Sequence, residues 1–588
     1  MQKRKIGVIL CCLLLTVTML GACGGNNAGN SAEDETTAAA VVTTADATTA
    51  APEEGPADPF GKMKEPTKLT AMRILTSWMG FDEGESVNDN WWTRTWKEQL
   101  DVEVEFTHIA DNWGEPLDQK ISVAIATDDL PDILYTYASN AAKIQKAGMI
   151  ADISAAYEKY ASPYIRENMS IPDNMPYKAS FYEGKMFGIP SNNVYSKTTR
   201  FAWIRQDWLE KLGLQAPKTI DELEAVAKAF KDNADKLGVK SLIPISMHKS
   251  FSGTGGTDTG AAIIESFGGL ASGWGMKDGK VVFNTTQPEM KAGLTKLAQW
   301  YKDGILAKDF YLKDPSTEEV EDISAGKVGI AFGSQNFPNS QGARNGLVNN
   351  HDTKWVFMPL VDAGGNLAKQ YANSRITDFV VATNKCNTPE KQEALIKMVN
   401  LTAQIFKPDD KPAFIKDDRY NTGSNGVGNF WHGNTVVLQF PIDLSAEWKQ
   451  AQIVAKDIEA GVDNSSTYNA YGKQIFSQMN SWKTKKFDAE NFDTNWSIYE
   501  MLKVGGSQEF NQNNHDNIAV WDVIWGPETD SMIKFGSEWA TKMQEYFITA
   551  VLTGEVEQNY AKWVDYWMTN GGATALTEAE EWYKANNK

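Results

Sequence analysis

Cys23 is the residue whose surroundings most clearly predict chemistry. It follows three basic residues at positions 3–5 and an apolar run over residues 6–20, and Gly21 and Ala22 precede it directly. An apolar run of this length is too short to span a bilayer comfortably, since a spanning helix takes roughly 20 residues. The length and the small residues instead fit a secretory signal with its cleavage site. The sequence therefore predicts an exported protein.

The motif Leu20-Gly21-Ala22-Cys23 resembles the lipobox of bacterial lipoproteins. The resemblance implies that residues 1–22 are a signal peptide, and that the Cys23 thiol carries a lipid such as palmitate. An ordinary signal peptide with an incidental cysteine is the alternative. Cys11 and Cys12 leave with the signal, so Cys386 has no partner for an internal disulfide. We expect a protein anchored to the outer face of the cell membrane through lipidated Cys23 only.

Residues 23–66 are predicted to be a disordered tether. The segment is rich in Gly, Asn, Ser, Thr, Ala and acid, and it has no aromatic residue before Phe60. Such a composition cannot bury enough apolar surface to fold. A flexible chain of about 43 residues has a root-mean-square reach of roughly 35 Å. That reach would hold a folded domain clear of a membrane.

Charge and aromatic content narrow the classes of partner. The formal net charge is −19, and the sequence has no stripe of basic residues that could bind phosphates. Nucleic acid is therefore excluded as a partner. No apolar run near 18 residues follows residue 22. The chain has 20 Trp, 19 Tyr and 25 Phe. Most of these must be core, but a minority could line a site for a ligand with flat apolar faces and polar edges, such as a sugar.

No motif for catalysis or metal binding stands out. The sequence has no H-E-x-x-H, G-x-S-x-G, Walker loop or paired C-x-x-C, and its five His are scattered. The Gly-rich stretch over 253–260 lacks the Lys-Ser/Thr of a phosphate loop. Acidic pairs are so abundant that counting them does not exclude a glycosidase, which needs only two carboxylates. We predict no catalytic residue, no metal and no cofactor.

Hydrophobic patterning from residue 67 alternates between strands and helices. The run 69–75 and the alternating stretch 102–106 read as strands, and between them Asp89 can cap a helix with Trp92 and Trp96 on one face. Further on, Thr219 begins a capping-box helix. The alternation predicts an α/β fold with mainly parallel sheets. The length is too great for one core, so two lobes are expected.

Several stretches resemble the family 1 extracellular solute-binding proteins, the lipoprotein receptors of bacterial ABC sugar importers. They are "ATDDLPDIL" (126–134), "YEGKMFGIPSN" (182–192), "RFAWIRQDWLEKLGLQAPKTIDELEAVAKAFK" (200–231), "KDGKVVFN" (277–284), "WYKDGIL" (300–306) and the ending "FITAVLTGEVEQNYAKWVDYWMTNGGATALTEAEEWY" (547–583). The resemblance implies a two-lobed, type II periplasmic-binding-protein-like fold, with the ligand cleft between lobes joined by a multi-crossover hinge.

The same resemblance implies the lobe limits. Lobe 1 is predicted over 67–198 plus 375–440, and lobe 2 over 199–374 plus 441–588. Crossovers are expected near 195–203, near 371–378 and near 440–450. Some relatives carry a calcium loop after the "AFK" helix. Here Asp232, Asn233 and Asp235 do not form its regular series. No calcium site is predicted.

Ligand-binding candidates follow from the rule that α/β sheets bind ligands beyond the carboxyl ends of their strands. Trp rings can stack on a pyranose, and Asp, Asn and Arg can hydrogen-bond its hydroxyls. Each candidate could instead pack in a core or in the hinge. The candidates are Trp78, Asp111, Trp113, Tyr137, Asn193, Trp203, Arg375, Asp378, Trp431, Trp521 and Trp525.

These inferences together predict a substrate-binding lipoprotein of an ABC importer. It would capture an oligosaccharide and deliver it to the transmembrane permease subunits, and it would act as a monomer that is not an enzyme. The alternatives are a surface-anchored glycoside hydrolase and a receptor of the same fold for a non-sugar solute.

Overall fold

The apolar runs of the chain form two mixed β-sheets flanked by helices. The computed structural model describes residues 57–75, 81, 83–111, 114–170, 175–190, 199–251, 258–315, 317–373, 376, 378–404, 445–468, 470–526 and 528–586. Its strands are β1 (Thr67–Ile74), β2 (Val102–Ala110), β3 (Ile133–Tyr137), β4 (Phe181–Tyr182), β5 (Lys185–Met186), β6 (Gly188–Pro190), β7 (Arg200–Arg205), β8 (Ile243–Ile245), β9 (Trp274–Lys277), β10 (Lys280–Phe283), β11 (Val328–Ser334), β12 (Trp355–Pro359), β13 (Gln370–Ala372), β14 (Asp378–Ala382) and β15 (Ala519–Trp521).

The helices surround these strands along the whole described chain. They are α1 (Trp91–Leu100), α2 (Glu115–Ala126), α3 (Ala138–Lys146), α4 (Ser154–Tyr160), α5 (Pro163–Ser170), α6 (Met175–Ala179), α7 (Gln206–Leu212), α8 (Ile220–Asp232), α9 (Ala234–Leu237), α10 (Thr259–Ser266), α11 (Met290–Lys302), α12 (Glu318–Ser324), α13 (Gln341–Asn349), α14 (Pro389–Ala403), α15 (Ser445–Ala460), α16 (Ala470–Lys485), α17 (Phe492–Leu502), α18 (Ser507–Ile518), α19 (Asp530–Thr553), α20 (Val556–Trp567) and α21 (Ala573–Asn586). Within the described ranges, no helix is both long and apolar enough to cross a membrane.

Each of the two larger sheets contains one reversed strand. The first sheet has the order β2-β1-β3-β14-β6, and β14 runs antiparallel to both of its neighbours while β2, β1 and β3 are parallel. The second sheet has the order β12-β7-β11-β8, and β7 runs antiparallel to β11 and β12 while β8 is parallel to β11. The predicted α/β class is therefore confirmed, with mixed rather than purely parallel sheets.

The reversed strands are those by which the chain enters a sheet from the other one. β7 follows β6 of the first sheet, and β14 follows β12 and β13 on the side of the second sheet. Because β7 and β14 each run antiparallel to their neighbours, each begins at the edge of the sheet where those neighbours end. The carboxyl ends of the other strands therefore lie at the same edge as these crossings, in both sheets. This edge is where an α/β sheet usually binds its ligand.

The predicted apolar stripes form the cores. Trp92, Trp96 and Leu100 of α1 are fully buried in the core of the first sheet, together with most of α14. The N-cap of α1 is Asn90, not the predicted Asp89, since the Asn90 side chain accepts hydrogen bonds from the backbone N–H groups of Trp92 and Thr93. Cys386 is also buried in this core, and burial raises the pKa of its thiol to about 12.

The second sheet has a core on each face. One face packs with Phe230 of α8 and Trp300 of α11, and with helices α19 to α21. Thr219 caps α8 as the sequence predicts, by accepting from the Glu222 N–H at 3.2 Å. The other face packs against α13, α16 and α17. Helices from distant parts of the chain thus cover both faces of the second sheet.

The folded part begins before residue 67. Met63 is buried in the first core, and its N–H donates to the Leu100 carbonyl at 2.8 Å. The Pro59 carbonyl accepts from the side chain of Asn400 at 2.9 Å. Residues 59–66, predicted as the end of the tether, therefore belong to the fold, because Phe60 and Met63 supply apolar anchors. The remaining lobe limits stay a prediction.

The chain also crosses between the two cores near β15. This short strand pairs in parallel with β13, then Trp525 packs into the first core and Met532 into the second. The crossing predicted near 440–450 falls mostly outside the described residues, which resume with α15. Ala403 belongs to the first core and Val454 to the cluster between α15 and α16.

A buried ionic cluster lies where these crossings meet. Arg200, the first residue of β7, donates from its Nε to Asp258 and from its Nη1 to both carboxylate oxygens of Glu265, at 3.0 and 2.9 Å. All three residues are enclosed by the protein. One guanidinium here balances two carboxylates. Burial raises the pKa of Glu265 to about 7, and the nearby Arg200 charge opposes this rise only in part.

The same cluster holds the other crossing strands. The Gln370 side chain accepts from the Arg200 N–H at 2.7 Å and donates to the Arg200 carbonyl at 3.3 Å. The next residue, Tyr371, donates its N–H to Glu265 at 2.9 Å and its hydroxyl to Asp522 at 2.9 Å. We call Arg200, Asp258, Glu265, Gln370, Tyr371 and Asp522 the junction cluster. It joins β7, α10, β13 and the end of β15.

Gly273 provides the first test of this packing. A Cβ at Gly273 would lie 2.3 Å from Cε2 of Tyr371 and 2.4 Å from Oδ2 of Asp522, and the residue has φ +69°. Gly279 has φ +74° and open space around its Cβ position. We expect Gly279→Ala to cost about 1–2 kcal/mol from backbone strain, and Gly273→Ala to cost a further ~1–3 kcal/mol from overpacking. Urea unfolding measures both, and equal losses would contradict the close packing.

Glu265 predicts a pH dependence of stability. A carboxyl whose pKa rises from 4.5 unfolded to about 7 folded binds more protons in the folded state. The stability that this proton contributes is fully present below pH 4.5 and is lost as the pH rises through 7. Relative to Glu265→Gln, the wild type should therefore lose stability between pH 5 and pH 8 in urea unfolding. Glu98→Gln, at an exposed position of α1, is the control. Parallel profiles for wild type and Glu265→Gln would contradict this reasoning.

Candidate functional site

The two sheets present their ligand-binding edges to the same crossings. In the first sheet, β1, β2 and β3 end at this edge and β14 begins there. In the second sheet, β8, β11 and β12 end at it and β7 begins there. β6 ends at this edge of the first sheet, and the next strand along the chain is β7. β14 is likewise the next strand after β13. The candidate site is the cleft between these edges.

Tyr137 and Asp378 lie side by side on the edge of the first sheet. They are paired in register between β3 and β14, and both are half-buried. Tyr135, two residues earlier on the same face, donates a hydrogen bond to Asp378, and burial together with the Asp378 charge raises its pKa. Burial first and Asp378 second also raise the pKa of Tyr137. Two of the predicted site residues are thus brought together.

A hydrogen-bonded layer supports this pair from α2 and α3. Asn140 is buried and donates to Asp118 at 2.7 Å and to the Thr136 hydroxyl at 3.1 Å. Lys143 in turn donates to the Asn140 side-chain oxygen at 2.9 Å. The Asp118 charge contributes to the raised pKa of Tyr137, so its carboxylate lies near the phenol. We call Tyr135, Tyr137, Asp378, Asn140 and Asp118 the tyrosine wall.

Asp111 lies at the end of β2, exposed, at the same edge of the sheet. It lines a groove of about 590 Å³ that runs between β2 and α2. The groove also contains His108, whose Nε2 lies 3.3 Å from Asp129, and Lys120. The groove therefore follows the outer side of the first sheet, and Asp111 lies at its end nearest the strand termini.

The three predicted tryptophans of the described chain lie in different settings. Trp203 is 3% exposed, its ring stacks on Phe337 at 5.2 Å, and its indole N–H donates to the Ser334 carbonyl at 3.1 Å. Trp525 is 4% exposed and meets Trp582 edge-on at 4.9 Å. Both rings are enclosed in cores, so we leave them out of the proposed site. Trp521 is half-buried beside His515, with ring centroids 5.4 Å apart.

The other predicted site residues lie outside the described residues. They are Cys23, Trp78, Trp113, Asn193, Arg375 and Trp431.

The sequence reasoning missed the polar residues that hold the site in place. Glu265 lies in the apolar helix α10, and an acid within a fully buried helix is a signal that it needs a cationic partner. Asn140 lies in the first turn of α3, three residues after the carboxyl end of β3, which is the region that the strand-end rule favours. Gln370 and Asp522 carry no comparable signal in the sequence.

No group of three or more His, Cys, Asp or Glu in the described chain could hold a metal ion. At the position of the relatives' calcium loop, residues 234–237 form the short helix α9. The Asn233 side chain before it donates to the Ala229 carbonyl at 2.9 Å. Asn233 is thus engaged with its own helix end.

Solved structures share this architecture. An extracellular solute-binding protein from Bifidobacterium longum subsp. infantis matches with a TM-score of 0.58 at 15% identity, covering 90% of this chain and 100% of that one. The Streptococcus pneumoniae ABC-transporter substrate-binding protein FusA, in complex with kestose, matches with a TM-score of 0.57 at 16% identity, covering 88% and 99%. At such identities the likeness shows the fold alone, and that fold is two-lobed, as predicted.

Curated relatives match over part of their length. Lipoprotein LipO of Bacillus subtilis (strain 168) is 25% identical over 39% of this chain and 43% of its own. The polygalacturonan/rhamnogalacturonan-binding protein YtcQ of the same strain is 27% identical over 40% and 44%. The fructooligosaccharide ABC transporter substrate-binding protein FusA of Streptococcus pneumoniae serotype 4 (strain ATCC BAA-334 / TIGR4) is 27% identical over 37% and 41%. The chain thus matches less than half the length of each.

The family model named "Bacterial extracellular solute-binding protein" matches residues 80–404, which is more than half of the chain. The match includes the tyrosine wall and most of the junction cluster. The family is one of binding proteins that act outside the cytoplasm. The chain therefore belongs to the bacterial extracellular solute-binding proteins.

Proposed function

We propose that this chain is the substrate-binding lipoprotein of an ABC importer, and that it binds an oligosaccharide in the cleft between its sheets. The observation that carries the proposal is the tyrosine wall at the strand ends of a solute-binding family member. Phenol rings offer apolar faces to a sugar ring, and the carboxylate of Asp378 accepts from its hydroxyls. YtcQ and FusA are both named for saccharide ligands, which supports the same class here.

The mechanism requires binding without covalent chemistry. A ligand that touches both edges favours a closed arrangement of the lobes, because only that arrangement makes both sets of contacts. The permease subunits would recognise that arrangement and receive the sugar. The junction cluster would keep the crossing strands in register during closure. No catalytic residue, cofactor or metal is part of the proposal, and the receptor acts as a monomer.

Cys23 would supply the attachment to the membrane. After removal of residues 1–22, the lipidated thiol would hold the protein at the outer face of the cell membrane. The polar segment that follows would let the folded part, which begins near residue 59, reach the permease. The name of LipO as a lipoprotein supports this placement. The proposed membrane contact is through the lipid only.

Calorimetry of the mature protein with neutral and acidic oligosaccharides tests the binding function. We expect saturable heat of binding for at least one oligosaccharide, and chromatography of the same mixture should return that oligosaccharide uncleaved. Cleavage into shorter sugars would overturn the proposal in favour of a glycoside hydrolase. Binding only of amino acids, peptides or other solutes would instead indicate a non-sugar receptor.

The anchor is tested by expressing the whole chain in a bacterium and separating membranes from soluble protein. We expect the wild type in the membrane fraction and Cys23→Ser outside it, because the serine cannot take the thioether-linked lipid. Cys386→Ser is the matched control, since that buried thiol has no role in attachment. Equal distribution of wild type and Cys23→Ser would contradict lipidation.

A further inference from the structure

The groove between β2 and α2 gives the candidate site a second surface beside the cleft. We propose that this groove extends the ligand site, and that it binds the end of an oligosaccharide too long for the cleft alone. This inference rests on the proposed function and names the substrate class of that same site, which is extended oligosaccharides rather than mono- or disaccharides. The volume of the groove, about 590 Å³, lies within the range of sites that bind small ligands.

Gly114, the residue before α2, connects the groove to the tyrosine wall. Its N–H donates a hydrogen bond to the Tyr137 hydroxyl at the carboxyl end of β3. Pro116, in the first turn of α2, lines the groove, and so does Asp111 after the carboxyl end of β2. The start of α2 thus takes part in both the wall and the groove. An oligosaccharide that leaves the wall along this edge of the sheet can therefore continue into the groove.

Helix α2 presents different residues to the wall and to the groove. Asp118 accepts a hydrogen bond within the wall. The groove is lined instead by Pro116, Lys120, Val123 and Thr127, which recur three or four residues apart and so form one stripe along the helix. At 1.5 Å per residue this stripe extends over about 16 Å. It is longer than one sugar ring, so the groove can hold several residues of an extended chain.

A β-bulge in the edge strand β2 precedes the groove. Two consecutive residues of β1 pair with Phe106 and His108, so Thr107 is the extra residue of the bulge. Bulges redirect the side chains that follow them and are common beside functional sites. Before the bulge the edge is covered, since the Phe106 N–H donates to the Asn88 side chain at 2.7 Å. From the bulge onward, residues 107–111 line the groove.

The lining suits a ligand with apolar faces and polar edges, as sugars have. Ala110 is buried at the base of the groove, whereas Val123 is 62% exposed. The imidazole of His108 is held at both nitrogens, with Nδ1 2.9 Å from the Thr107 hydroxyl and Nε2 3.3 Å from Asp129. Sugar C–H groups can pack on the aliphatic side chains, while sugar hydroxyls exchange hydrogen bonds with the polar ones. The groove can therefore bind the same class of ligand as the wall.

Calorimetry with oligosaccharides of increasing length tests the inference on the mature protein. The probes are malto-, cello-, xylo-, inulin-type fructo- and galacturono-oligosaccharides, each from disaccharide to octasaccharide. In the series that binds, we expect the octasaccharide to bind at least about 10-fold more tightly than the trisaccharide, because it adds contacts in the groove. The disaccharide should bind more weakly than either.

A chemical block of the groove locates the added contacts. Val123→Cys and the control Ala126→Cys, both exposed on α2, are made in the mature chain with Cys23→Ser and labelled with a polyethylene glycol maleimide. The remaining thiol, Cys386, is buried and has a pKa raised to about 12, so it does not react. Labelled Val123→Cys should bind the octasaccharide no more tightly than the trisaccharide. Labelled Ala126→Cys should keep the increase with length, since Ala126 does not line the groove.

The unlabelled variants supply an independent measurement. The octasaccharide should slow alkylation of the Val123→Cys thiol by iodoacetamide several-fold, and the trisaccharide should not. The thiol of Ala126→Cys should react at the same rate with and without either ligand. Thermal unfolding of each variant, labelled and unlabelled, shows that it is folded.

The outcomes distinguish this inference from the proposed function. Equal affinity for the trisaccharide and the octasaccharide would overturn the inference and leave the receptor function intact. An increase with length that survives the label at position 123 would overturn it as well, because the added contacts would then lie outside the groove. Failure of every saccharide probe to bind would overturn the proposed function and the inference with it.

Discussion

The structure depends on the burial of two carboxylates against one guanidinium at the point where the chain crosses between its sheets. Removing an ion from water costs several kcal/mol, and a buried ion is tolerated only when its hydrogen-bonding groups are satisfied. Arg200 donates to each acid from a separate nitrogen, and Glu265 also accepts from the Tyr371 N–H. Any shift of β7 against α10 or β13 would break several of these bonds together. The crossing strands are thereby held in a single register.

The residues at the two edges of the cleft differ in whether they support the fold or belong to the candidate site. On the second sheet, Arg200 at the start of β7 belongs to the junction cluster and supports the fold. On the first sheet, Tyr137 and Asp378 are half-buried. Tyr135 donates a hydrogen bond to Asp378, and the hydrogen-bonded pair of Asn140 and Asp118 lies next to Tyr137. A binding site works best when its contact residues are held by neighbours that do not themselves touch the ligand. The tyrosine wall has this arrangement.

Local patterns predicted much of this architecture, and contacts between distant residues account for what they missed. The stripe of α1 and the Thr219 cap of α8 are encoded within a few residues, so both could be read from the sequence. Glu265, in contrast, takes its partners from 65 and 106 residues away. Successive side chains of β7 point to opposite faces of the sheet, and Trp203 lies on one of these faces. The helices that cover this face come much later in the chain. Sequence patterning cannot tell which face of a strand a distant helix will cover.

The two reversed strands show how one topological position can serve either structure or recognition. Each begins with a charged residue at the shared edge: Arg200 opens β7 and Asp378 opens β14. The guanidinium is surrounded by opposite charges, which cancel most of its field and bury it. The carboxylate accepts a hydrogen bond from the Tyr135 phenol, and its charge raises the pKa of both Tyr135 and Tyr137. The start of β7 is therefore committed to the fold, whereas the start of β14 leaves a half-buried carboxylate beside Tyr137 at the edge of the sheet.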